Sequence, residues 1–156
     1  KHVDVTLASG IIQTVGANND AQVLIAVRVT NLVEDALDKI ASAIGDSATP
    51  SSSQTPTLSQ PNELLMGASA TEGPLGDNAG SWVSGPEYTD YNSIRAGTTG
   101  GGPTSNITLA TATKIVAATD GGISAKTGIT SRQWAAAIAT YKIKPEATQV
   151  LLSMVG

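Results

Sequence analysis

The chain has 156 residues, 40% of them apolar, 14% charged, and a formal net charge of −4, which is enough for one domain with a real core. It has no cysteine, which excludes disulfides, thiolate catalysis and Cys-ligated metals. Two Trp, three Tyr and no Phe leave the core to Val, Ile, Leu and Ala, with many thin contacts in place of a few large aromatic ones.

Residues 3–7 alternate apolar and polar side chains, as a half-buried strand does, and 11–15 continue or pair with them before a turn cluster at 16–20. Residues 21–30 are the most apolar piece. Val23, Ile25, Val27 and Val29 share one face of a strand there, and their β-branching favours that state. The run 23–27 stops at Arg28 and is too short to span a bilayer. A helix is expected over 32–44. Asn31 stands at its cap with Glu34 three residues on, and Leu32, Val33, Ala36, Leu37, Ile40 and Ile44 recur at helical spacing up to a stop at Gly45. A single helix over 20–44 is the alternative, because the apolar run permits it.

Residues 46–105 carry six of the seven prolines. A nearly low-complexity stretch runs over 47–60, and a Thr/Gly run lies at 98–102. They read as a long, mostly irregular excursion pinned by Leu64, Leu65, Met66, Trp82, Val83, Tyr88, Tyr91 and Ile94. Order returns with a strand over 106–116 and a turn at 120–122. A helix capped by Thr130 or Ser131 is expected over 132–140, and a closing helix or strand over 147–155 after Pro145. The fold class expected is α+β: a single domain over 1–156, its sheet packed against one or two helices, with 46–105 as an extended loop or arm region.

Charge is divided along the chain. No Lys or Arg occurs between Ile40 and Ile94, where Asp46, Glu63, Glu72, Asp77, Glu87 and Asp90 lie. Beyond that, Arg95, Lys114, Lys126, Arg132, Lys142 and Lys144 face only Asp120 and Glu146. The acidic middle either packs on the basic part, within one subunit or between neighbours, or forms a solvated face. Six dispersed cations make a weak nucleic-acid footprint.

Few residues point to chemistry. His2 is the single histidine and sits at the terminus, so no Ser-His-Asp arrangement can be built. Glu34 and Asp38, four apart, read as a solvated helix face. Glu72, Asp77, Asn78, Glu87 and Asp90 offer oxygen ligands for Ca²⁺ but match no EF-hand spacing, so a metal site stays open. The glycines near 73–80 and 97–102 form no phosphate-binding loop. Asn106-Ile107-Thr108 is a glycosylation sequon. Residues 132–152 loosely follow a helix-turn-helix outline, without the turn glycine and with few groups able to read bases.

The function expected is therefore non-enzymatic: a self-assembling structural subunit, either virion coat or extracellular filament, whose partners are copies of itself. Small hydroxyl side chains, abundant here, lose little entropy when a neighbouring subunit covers them. Lys1 in place of Met suggests processing or a removed leader, which fits an extracellular or virion location. No catalytic residue, cofactor or membrane span is expected. One alternative is an extracellular binding module using loop residues 82–91, with Trp82, Tyr88 and Tyr91 as its surface. A second is a small carboxylate-dependent enzyme.

Overall fold

The computed structural model describes residues 21–83, 92–97 and 102–145. They form eight strands: β1 (Leu32–Ser47), β2 (Ser51–Gln54), β3 (Glu63–Glu72), β4 (Ala79–Trp82), β5 (Asn92–Gly97), β6 (Ile107–Val116), β7 (Ile123–Ile129) and β8 (Arg132–Ile143). A five-stranded sheet runs in the order β1-β8-β3-β6-β5 and a three-stranded one in the order β2-β7-β4. Every strand pair is antiparallel.

The architecture is all-β, not α+β. The helical content of the described residues is one 3₁₀ turn at Pro103–Ser105. The expected helix over 32–44 is β1. Its apolar residues at 36, 40 and 44 are spaced by four, and four is close to one helical turn and also two strand repeats, so both periods put them on one face. Pairing with β8 decides for the strand, in continuous register from Ile40↔Ala139 to Ser47↔Arg132. The first part of β1 is irregular, with Asp35 at φ 46° and register shifts between Leu32, Leu37 and Ile40. Asn31 is no helix cap: it has φ 65°, and its carbonyl accepts a hydrogen bond from the Lys144 amide at 3.0 Å. Gly45 is not a helix stop but makes room, since a Cβ there would sit 2.5 Å from the Trp134 ring.

The helix expected over 132–140 is β8. Its alanines favour helix in isolation, but β8 lies between β1 and β3 and is hydrogen-bonded on both sides. Small side chains suit that central place. Residues 21–30 belong to no strand or helix, so both the strand and the single helix over 20–44 are overturned. The strand expected over 106–116 is present as β6. The supposed irregular excursion over 46–105 contains β2, β3, β4 and β5. Pro50, Pro56, Pro61, Pro74 and Pro103 fall in the connections, leaving the strands between them intact. The expected elements over 3–7, 11–15 and 147–155 lie outside the described residues.

β3 over 63–70 and β6 over 107–112 alternate between buried and half-buried side chains. One face of the large sheet therefore turns inward to the small sheet. Leu65, Val116 and Ile138 meet Leu58 from the β2–β3 connection there, with Ala41 and Ile123 packed against them. The remaining interior is small and polar. Ser52, Thr55, Ser69, Thr108, Ser124 and Thr140 are buried, and most bond across the layers or to turns: the Ser124 amide donates to Ser52 Oγ at 3.0 Å, and Thr108 Oγ1 to the Gly73 carbonyl at 3.0 Å. This is how the Ser/Thr-rich 47–60 stretch folds, with its hydroxyls bound to backbone groups the sheets leave free.

Candidate functional site

The opposite face of the large sheet carries no covering layer among the described residues. Strand register sets its side chains in rows: Ile40, Ala139, Met66 and Thr113; then Ser42, Ala137, Ala68 and Thr111; then Ile44, Ala135, Ala70 and Leu109. Tyr141, Leu64 and Ile115 extend it at one end. None of these residues is charged. Ile40 is 67% exposed and Ile44 84%, values that stand out for isoleucine on a sheet. Charge returns at the margin with Asp46 and Glu72. Among the described residues this uncharged, largely apolar surface spans four strands. β1 is also, among the described residues, the edge of that sheet, paired on its β8 side.

Two polar constellations lie inside. In the first, Glu63 on β3 is fully buried, and neither of its carboxyl oxygens has a well-formed hydrogen bond among the described residues. Burial, with a smaller contribution from the nearby Asp38 charge, pushes its carboxyl above the ordinary range. Asp38 behaves oppositely. Desolvation opposes its ionisation, but the Ser59 hydroxyl and amide and the Lys39 ammonium all donate to it and together hold it well below the usual carboxylate range. The Lys39 Nζ–Asp38 Oδ1 distance is 3.0 Å.

The second constellation joins the two ends of the charge division. Arg132 Nη2 lies 3.3 Å from Asp77 Oδ2, and Arg95 Nη2 donates to the Asp77 carbonyl at 3.0 Å. Acidic middle and basic C-terminal part thus meet within one subunit. Beside them is a small cavity of about 10 Å³, room for one water, lined by Glu72, Asp77, Arg95, Lys126 and Thr130. Lys126 is buried, with its Nζ 4.9 Å from the Trp82 ring centroid. Burial, and then the Arg95 charge, lowers its pKa.

The expected site residues are dispersed by this arrangement. Glu34 is exposed and Asp38 is turned toward Ser59, so they form no pair. Asp77 of the candidate Ca²⁺ set is committed to Arg132, and no group of three or more His, Cys, Asp or Glu able to hold a metal occurs among the described residues. Glu87, Asp90, Tyr88, Tyr91 and His2 lie outside the described residues. Trp82 lies against Lys126, and the rest of the 82–91 loop beyond Val83 lies outside the described residues. Asn106 is buried, and its Nδ2 donates to the Gly102 carbonyl at 2.7 Å, so the amide a glycan would use is engaged. With 132–143 in a strand, the helix-turn-helix outline is absent. No helix among the described residues is long and apolar enough to cross a membrane.

Sequence reasoning missed the uncovered face, because it assigned β1 and β8 to helices. It counted Glu63 only among the acids of the middle segment. The signal was there: Glu63 shares the parity of Leu65, Gly67 and Ser69, the inward face of β3. No family model, curated protein or solved structure matches the chain.

Proposed function

We propose that the chain is a non-enzymatic structural subunit that assembles with copies of itself, as a virion coat or extracellular filament protein does. The observation that carries this reading is the uncharged outer face of the five-stranded sheet, with Ile40 and Ile44 largely in solvent. Covering such a face removes apolar area from water at roughly 25 cal/mol per Å². Its side chains, mostly Ala, Ser and Thr with a few aliphatics, have little conformational freedom to lose when another subunit arrives. An extracellular or virion location is proposed on the hydroxyl-rich, charge-poor composition.

The carboxylate-enzyme reading is less favoured by the same geometry. Glu63 has no solvent exposure, and Asp38 is occupied by Ser59 and Lys39, so no substrate reaches the pair. Light scattering across a concentration series, with negative-stain imaging of the largest species, tests the assembly reading. Defined particles, rings or fibres are the expected result. A monodisperse monomer at every concentration overturns it.

A further inference from the structure

Residues 21–30 are the most apolar piece of the chain and carry β-branched residues at alternate positions, yet they lie in no sheet. Their backbone forms no hydrogen bond with any described residue. Half-buried and exposed side chains alternate over 21–26, and Leu24 and Val27 are 45% and 37% exposed. The segment leaves the domain at Asn31, whose left-handed backbone (φ 65°) turns the chain just before β1. A β-branched segment, half-buried on one side and with an unused row of amides and carbonyls, is suited to pairing with a sheet edge.

The same molecule presents a matching edge. Over 40–47 β1 is regular and, among the described residues, paired on one side only. Natural edges are usually protected by lysine, proline, bulges or short length. The bulges of β1 lie before Ile40, and from Ile40 to Gly45 the edge has no charge and no proline. A ten-residue segment in no sheet is thus matched by an edge of eight residues, the first six of them free of charge.

We propose that residues 21–30 of one copy add as an extra strand to the β1 edge, Ile40–Ser47, of a second copy. The segment cannot reach this part of its own β1. Only Asn31 separates it from Leu32, and even a hairpin needs about two loop residues. A fold-back would lay it along 32–41, where the bulges interrupt β1. The side-chain pattern fits the added strand. If even-numbered segment positions continue the outer face of Ile40, Ser42 and Ile44, then Leu24 and Ala26 extend that apolar surface, with Arg28 bringing one charge onto the same side. Val23, Ile25, Val27 and Val29 then join the inner side beside Ala41 and Ala43. A strand given by each copy to the next is a head-to-tail contact that closes into rings or continues as a filament.

This inference rests on the assembly reading and names the contact that would drive it. The cysteine-free sequence allows a direct test on the full chain. Leu24→Cys and Ala26→Cys in one set of copies, and Ser42→Cys and Ile44→Cys in a second set carrying a size tag, cover both strand directions at cross-strand distance. Mixing the sets under mild oxidation should give a disulfide-linked dimer of one tagged and one untagged chain. A double-cysteine chain should link between copies and not within itself. In parallel, Ile25→Pro with Val27→Pro removes two donors from the segment without touching the sheets, and should abolish the assembled species while leaving the melting temperature unchanged. Assembly without these cross-links, or undiminished in the proline variant, overturns the strand addition and leaves the assembly reading standing. Cross-linking confined to one chain also overturns it. A monomer in every variant and in the parent overturns both.

Discussion

Gly67 of β3 lies directly against the Ser124 side chain of β7: a Cβ at Gly67 would overlap both the hydroxyl oxygen and the Cβ of Ser124. Ser124 has nowhere to retreat, being 1% exposed with its own amide bonded to Ser52 Oγ. Gly67→Ala should therefore cost about 1–3 kcal/mol of unfolding free energy, as overpacking does in dense interiors. Urea unfolding of Gly67→Ala, Ser124→Gly and the double variant measures it. The double variant should recover part of the loss, because the two substitutions act on one contact. Additive losses would mean the sheets do not meet at this point.

The buried Glu63 predicts a stability that depends on pH. Its folded pKa is raised above the ordinary value of 4.5, so the folded state holds the proton longer than the unfolded chain does. That contribution is complete below the ordinary value and is lost as pH rises through the folded one. Asp38 has the opposite sign: its folded pKa is depressed, so its contribution is present above the ordinary range and lost in strong acid. Glu63→Gln keeps the shape and removes the titration. Wild-type unfolding free energy should decline on the alkaline side of 4.5, and the variant should show a flatter limb there with the acid limb retained. Parallel curves for the two proteins would sink the idea.

Strands with two-residue periodicity were legible from sequence, and those whose pattern suits both periods were not. Residues 107–116 alternate Thr and Ala with aliphatics, and β6 appears there as expected. In β1 the spacing of Ala36, Ile40 and Ile44 fits helix and strand alike, and local signals at Asn31, Glu34 and Gly45 all tilted toward helix. What tipped the balance is non-local: β8, about a hundred residues away in sequence, offers a continuous hydrogen-bonded partner, and tertiary pairing overrides weak propensity. The Ala-rich β8 failed for the same reason. The charge division was legible, but not its outcome at Asp77 and Arg132, which needed the β3–β4 turn and the start of β8 to meet. The outer face could not be read until β1, β8, β3 and β6 were set side by side.

Lys126 predicts a second pH limb. It is buried over Trp82, and its folded pKa is depressed by burial and by Arg95 from an ordinary 10.5. Here the unfolded chain binds the proton more tightly than the folded one. Stability should rise with pH on the approach to 10.5 and level off above it. Lys126→Met fills similar volume without a charge, and the rise should vanish in it. Thermal melts from neutral pH upward give the comparison. An equal rise in both proteins would show that Lys126 is not the group responsible.

Ile44 separates assembly from folding. At 84% exposed on the uncovered face, its side chain contributes little to the isolated subunit, so Ile44→Lys should change unfolding free energy by no more than about 0.5 kcal/mol. On an interface between copies the same change is severe: it removes an apolar anchor and brings a charge that resists desolvation. Lysine on β1 is also a common natural device against edge pairing. Size-exclusion light scattering should show the variant as a monomer at concentrations where the parent assembles, with an unchanged melting temperature. Ala137→Glu, in the middle of the same face, should act alike through charge alone. If both variants assemble as the parent does, the outer face is not the contact surface. If Ile44→Lys unfolds the chain instead, β1 owes more of its stability to this side chain than its exposure allows.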